Sequence, residues 1–222
     1  MPNKDLQLAY YQKLKEFGYD YATVSHSPEV KSQDLPEALK DLRAQVLKCH
    51  LCHLAKTRIK VVFGEGNELA DVMFIGEGPG KDEDESGRPF VGAAGQLLTK
   101  MIEDEKSLGL PRGSIYIANV VKCRPPNNRV PEDDEVNSCL PFLFRQIETI
   151  KPKIIVTLGG VAISALLKQS VAITKIRGVW RKFGEIDLLP TYHPSYLLRN
   201  PSAKKDAWTD MLAIRAKLLS AN

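Results

Sequence analysis

Residues 71–102 read DVMFIGEGPGKDEDESGRPFVGAAGQLLTKMI. The apolar run Val72–Ile75 leads into residues 76–95, which carry six of the chain's 15 glycines, and a helical pattern follows from Gln96 to Ile102. A strand, a glycine-rich loop and a helix in that order is how open α/β sheets build ligand sites. Ordinary βα connections run about two to six residues, so a connection this long points to a functional loop. It holds four consecutive acids, Asp82, Glu83, Asp84 and Glu85, and one aromatic, Phe90, that its turn-rich setting suggests is exposed. The loop matches neither GxGxxG nor GxxxxGK[ST], and its acids would repel a pyrophosphate, which argues against a nucleotide cofactor. Carboxylates beside a ring suit proton handling or water activation next to a stacked flat group.

Outward from this stretch, strand and helix patterns alternate. Strand-like runs fall at Val72–Ile75, Ile115–Ala118, Ile154–Leu158 and Ile186–Leu189, the last leading to Tyr192. The first three are too apolar to be half-exposed and read as buried parallel strands flanked by helices. Helical patterns run over Ala94–Glu105, Glu132–Ile150, Val161–Leu167 and about Ser202–Leu219. The expected fold is α/β: a three-layer α/β/α sandwich around a four-stranded parallel sheet. A weaker pair, Val179–Phe183 and Glu185–Leu189, can form a hairpin across Gly184. Gly76–Gly80, Asn119, Gly159-Gly160 and Tyr192-His193-Pro194-Ser195 each follow one strand, so all four groups are expected on the carboxyl rim, where such sheets bind ligands.

At 222 residues and 43% hydrophobic content the chain can bury a full core. Residues 1–40 are expected to form a helical extension, with an amphipathic pattern over Leu6–Phe17, and residues 41–222 the main domain. No apolar run reaches the roughly 18 residues that span a bilayer, and no signal-peptide pattern opens the chain, so no membrane partner and a cytoplasmic location are expected. The net charge of +4 is unevenly spread: residues 151–222 hold 12 Lys and Arg against 4 Asp and Glu, a net of +8, and the rest is net −4. A basic C-terminal third is a fair footprint for a polyanion.

Cysteines stand at 49, 52, 123 and 139. A CxxC pair in a chain of this kind reads as metal or redox before disulfide. Cys49-His50-Leu51-Cys52 closes a helical stretch (Leu35 to Lys48) rather than opening one, unlike a thioredoxin motif, and no second CxxC completes a zinc ribbon. Four dispersed thiolates with one close pair suit an iron–sulfur cluster at least as well as zinc, and His50 and His53 remain open as alternative ligands.

The stretch 76–98, Asn119 with Lys122-Cys123-Arg124-Pro125-Pro126, and His193-Pro194-Ser195-Tyr196-Leu197-Leu198-Arg199 together resemble family 4 uracil-DNA glycosylases over residues 45–215 or so. That resemblance implies base flipping, with uracil extruded into a pocket and its N-glycosidic bond hydrolysed, as the first step of base excision repair. It implies a monomer carrying a [4Fe–4S] cluster on Cys49, Cys52, Cys123 and Cys139, and uracil-containing DNA as partner. Phe90 would stack on the base and Asn119 would bond its Watson–Crick edge. Glu77 and Gly78 would line the pocket, Glu77 helping to exclude thymine. His193 would donate to uracil O2, and Glu83 would orient the attacking water, with Asp82 and Asp84 able to exchange roles with it. Leu197 would fill the gap left by the flipped base, Ser195 would hold phosphate, and Lys122, Arg124, Arg199, Lys204 and Lys205 would supply backbone affinity. Relatives that trap DNA covalently carry a basic, histidine-containing insertion before the last strand. Residues 176–186, IRGVWRKFGEI, lack it, which implies hydrolytic turnover. Two other readings are a non-catalytic uracil-DNA-binding or replication-associated module of the same fold, and a metal-dependent RNA-binding protein.

Overall fold

The computed structural model describes residues 35–220. The pattern over Leu6–Phe17, and with it nearly all of the expected N-terminal extension, lies outside the described residues.

Six strands form one sheet: β1 (Glu65–Gly66), β2 (Val72–Gly76), β3 (Tyr116–Asn119), β4 (Ile154–Leu158), β5 (Arg181–Phe183) and β6 (Ile186–Thr191), in the order β1-β3-β2-β4-β6-β5. The four inner strands are parallel, as their two-sided apolar character requires. The expected count of four strands is corrected to six by an antiparallel edge strand on each side. β5 is the arm of the hairpin expected across Gly184, which turns at φ 59. β1 has only two residues, too few for any alternation to register. It depends on Gly66, at φ 129, where a Cβ would overlap the Ile115 carbonyl.

The helices are α1 (Leu35–Leu47), α2 (Lys81–Ser86), α3 (Ala93–Glu103), α4 (Asp133–Ile150), α5 (Gly160–Leu167), α6 (Ile173–Ile176), α7 (Pro194–Arg199) and α8 (Lys204–Ser220). Successive β2 residues face opposite layers. Met73 and Ile75 pack with Leu39 and Leu42 of α1, Leu143 and Ile147 of α4, and Ile163 of α5. Val72 and Phe74 pack with Leu98 and Ile102 of α3 and Met211 and Ile214 of α8. None of Val72–Ile75 is more than 1% exposed, so the sheet is covered on both faces.

From β2 the chain passes through α3 to β3 on one side and returns through α4 to β4 on the other. The direction of winding therefore reverses at β2. At such a reversal the loops leaving neighbouring strands diverge and open a crevice beyond the strands' carboxyl ends.

Candidate functional site

Three side chains converge on that crevice. Gly76, the last residue of β2, is in register with Asn119, the last of β3. A Cβ at Gly76 would overlap Asn119 Oδ1 and come within 2.6 Å of Phe90 Cζ, so only glycine lets the two side chains share this space. The Phe90 ring lies 5.7 Å from the His193 ring, tilted by 37°. Asn119 is 1% exposed, and its Oδ1 has no hydrogen-bond partner among the described residues. Leaving a buried acceptor unpaired costs about 1–3 kcal/mol, which a ligand offering an N–H would recover. Gly78 adds to the close packing, since a Cβ there would sit 2.7 Å from Val121 Cγ2. Glu77 beside it is half-buried, and burial raises its carboxyl pKa.

His193 follows β6 and caps α7. Its Nδ1 accepts the Ser195 backbone N–H at 3.1 Å and lies 2.7 Å from Ser195 Oγ. A backbone N–H can only donate, so Nδ1 is the acceptor and the imidazole proton sits on Nε2. Burial, helped by the Arg199 charge, pushes the His193 pKa down to about 4. The ring is therefore a neutral donor at ordinary pH.

The acidic run is not an open loop. It forms α2, and its first three acids have different surroundings. Glu83 Oε1 accepts the N–H groups of Val91 (2.8 Å) and Gly92 (2.9 Å), while Oε2 accepts that of Gly80 (3.1 Å). The carboxylate is thus taken up in clasping the two ends of the loop. Asp84 is 2% exposed and accepts from the N–H groups of Ile59 and Lys60. Asp82 is exposed, and its carboxylate lies 2.5 Å from where a Gly92 Cβ would stand. Phe90 is buried, at 6% exposure, rather than exposed, and holds a left-handed backbone at φ 52. The Glu83 clasp just after Phe90 and the Arg112 guanidinium on the Pro89 carbonyl (2.8 Å) just before it hold that conformation.

Burial bears on two of the DNA-side expectations. Leu197 is 0% exposed and packed in the α3/α8 core, whereas its neighbour Leu198 is 44% exposed. Lys122 is 1% exposed and cannot reach a phosphate; its Nζ bonds the Asn119 carbonyl (2.7 Å) and Gln146 Oε1 (2.6 Å). The Ser195 hydroxyl is engaged with His193, which leaves its single O–H turned inward. Arg199, Lys204 and Lys205 are exposed, and Arg124 is half-buried with Nε on Asn128 Oδ1.

Behind this rim the four cysteines line one cavity with Val46, Ala55, Arg58 and Phe142. Cys49 and Cys52 follow α1, Cys123 follows β3 and Cys139 lies in α4. Two donors point at the sulfurs: Arg58 Nη1 at Cys123 Sγ and the Lys122 N–H at Cys139 Sγ, both at 3.2 Å. His50 and His53 are exposed and do not line the cavity. Burial pushes the thiols of Cys123 and Cys139 up to about 11 and about 12. Ionising all four requires cationic charge inside the cavity, which a coordinated metal supplies. The donor set therefore fits a soft-metal centre, although among the described residues no three His, Cys, Asp or Glu groups close on a single-ion site.

The Uracil DNA glycosylase superfamily model matches residues 63–213. The Type-4 uracil-DNA glycosylase of Sulfurisphaera tokodaii is 49% identical over 81% of this chain and 84% of its own length. Those of Thermotoga maritima and Archaeoglobus fulgidus are 48% and 41% identical, over 75% and 80% of this chain and 86% and 92% of their own lengths. The chain belongs to the type-4 uracil-DNA glycosylases.

In this type-4 glycosylase several residues at the site carried no sequence signal. Arg112 lies 23 residues from the carbonyl it holds, and Gln146, at 0% exposure, bonds Lys122 from the middle of α4. Arg58 reaches Cys123 across 65 residues. None of these pairings has a characteristic spacing, because packing of separate elements creates them. No described helix is long and apolar enough to cross a membrane.

Proposed function

We propose that this chain excises uracil from DNA, as the names of its relatives state for them, by hydrolysing the N-glycosidic bond of a flipped nucleotide. The observation that carries this reading is the unpartnered Asn119 Oδ1, buried in a slot walled by Phe90 and closed by His193. Uracil presents an N3–H donor and an O4 acceptor, and an amide held with Oδ1 toward N3 pairs with both. Cytosine presents the reverse pattern and leaves both groups unpaired. Phe90 stacks on the base. As water adds to C1′ and releases a proton to solvent, the bond to N1 breaks and its electron pair moves onto the uracil ring; His193 Nε2–H donates to O2, where charge builds, and the departing uracil anion takes up a proton from solvent.

Glu83 is the clasp that shapes the slot, and Asp82, exposed with its carboxylate beside Gly92, is the acid that orients water and opposes positive charge on the sugar. Glu77 and Gly78 line the slot. Leu198, rather than Leu197, fills the gap in the duplex. Arg199, Lys204 and Lys205 supply phosphate affinity. The same reading assigns a [4Fe–4S] cluster to the cysteine cavity, since four sulfurs surrounding a space suit a polynuclear centre. Bound there, the cluster supplies a structural cross-link between the end of α1, the exit of β3 and α4; hydrolysis needs no electron from it. The enzyme acts as a monomer in the cytoplasm, with residues 41–222 as the catalytic unit, and turns over hydrolytically.

The test is an oligonucleotide carrying one uracil, incubated with the protein and then treated with alkali. Scission at uracil, with none at thymine or cytosine in the same position, is expected. Intact DNA with iron-loaded protein would leave a binding module.

A further inference from the structure

A buried ammonium is costly unless its bonds accomplish something that an apolar side chain could not. Lys122 is such a group. It is 1% exposed, and its side chain turns back to place Nζ 2.7 Å from the Asn119 carbonyl and 2.6 Å from Gln146 Oε1. Gln146 is itself anchored, its Nε2 donating to the Phe63 carbonyl at 2.9 Å and to Tyr116 Oη at 3.2 Å. The Lys122 backbone is fixed at both ends: its N–H donates to Cys139 Sγ at 3.2 Å and its carbonyl accepts from Val62 at 2.8 Å. One residue therefore joins the cysteine cavity to the end of β3, where Asn119 leaves the sheet.

The amide of Asn119 discriminates between bases only in one orientation, because exchanging its oxygen and nitrogen exchanges uracil's pattern for cytosine's. Among the described residues its Oδ1 has no partner to hold it. Where the amide stands is therefore set by the backbone that carries it, and the carbonyl of that residue is what Lys122 grips. A misplacement of about 1 Å at a reacting group can cost on the order of 10²-fold in rate.

We propose that Lys122 is a positioning residue, which with Gln146 fixes the end of β3 so that Asn119 meets the base in register and which carries the rigidity of the cysteine centre into the uracil slot. This rests on the base-reading role of Asn119 argued above.

The test is a double-mutant cycle on iron-loaded protein: wild type, Lys122→Met, Asn119→Ala and the double variant. Single-turnover excision, DNA affinity and iron per chain are measured for each. Lys122→Met should slow excision by roughly tenfold while leaving iron content and DNA affinity within about twofold of wild type. In the Asn119→Ala background the same change should alter the rate by less than about twofold, because the group it positions is gone. An equal loss in both backgrounds overturns the proposal, since Lys122 would then act on the fold at large. No loss in Lys122→Met alone also overturns it. Wild-type excision by Asn119→Ala sinks the base-reading role itself, a separate result. Should Lys122→Met not accumulate as iron-loaded protein, Gln146→Met takes its place: it removes one of the ammonium's two acceptors. It should slow excision by about threefold with the same collapse of the effect in the Asn119→Ala background, and an equal loss in both backgrounds counts against the proposal.

Discussion

Glu83→Gln separates a carboxylate that shapes the slot from one that performs chemistry. The wild-type side chain accepts three backbone N–H groups, two on Oε1 and one on Oε2, at 2.8, 2.9 and 3.1 Å. Glutamine keeps the volume but offers one acceptor and one donor. If its oxygen faces Val91 and Gly92, its NH2 confronts the Gly80 N–H; the other rotamer confronts two. At least one buried donor is left unsatisfied, at about 1–3 kcal/mol, and the remaining bonds lose their charge assistance. At about 2–4 °C per kcal/mol for a chain of this size, Tm should fall by roughly 3–10 °C. The loop then releases Phe90, whose φ of 52 is not a conformation it would choose alone. Single-turnover excision should therefore drop by about tenfold or more, and the loss of Tm should accompany the loss of rate. Differential scanning calorimetry and quenched-flow cleavage measure the two together. A Tm unchanged within about 1 °C with excision down by about 10³ would refute the clasp and return Glu83 to water activation.

Asp82→Asn should slow single-turnover cleavage by about 10–10² with Tm unchanged, since its carboxylate is exposed; wild-type kinetics would remove Asp82 from the chemistry. The His193 pKa is pushed down to about 4, so the ring is neutral across pH 5.5–8 and the pH–rate profile should show no inflection near 6.5 that disappears in His193→Gln. Because folding depresses that pKa, the His193 contribution to stability is complete above pH 6.5 and is lost as pH falls from 6.5 toward 4. Chemical denaturation of wild type and His193→Gln at pH 7.5 and 5 should show the variant less sensitive to acid. Leu198→Ala should impair excision from duplex about tenfold while sparing single-stranded substrate, whereas Leu197→Ala should lower stability by about 2–5 kcal/mol; the reverse pattern would restore Leu197 as the wedge.

The parallel sheet and its helices were legible in the sequence because apolar runs long enough to be buried on both faces have few other fates. The last turn of the 132–150 helix and the ends of Val72–Ile75 and Ile154–Leu158 fall within a residue of expectation. The rim was legible too, since the side of the sheet on which a loop emerges follows from strand direction alone. What could not be read was orientation within the loops. Asp82, Glu83 and Asp84 are three adjacent acids, yet one is exposed, one clasps N–H groups eight and nine residues ahead, and one is buried against N–H groups 24 and 25 residues behind. The burial of Lys122 and Leu197 could not be read for the same reason: a basic residue after a strand and a leucine in a short helix carry no mark of which way packing turns them. The CxxC spacing marked one pair of cysteines, but the meeting of Cys123 and Cys139 with that pair depends on how α4 packs beside β3.

The central claim is that the slot holds flipped uracil and releases it by hydrolysis. It is tested most directly by incubating the iron-loaded full chain with excess duplex bearing one uracil and quantifying both products by mass spectrometry. The account predicts free uracil and abasic DNA in equal amounts, rising past one equivalent per enzyme. Abasic DNA locked to protein, or uracil DNA that is bound and recovered intact, would contradict it.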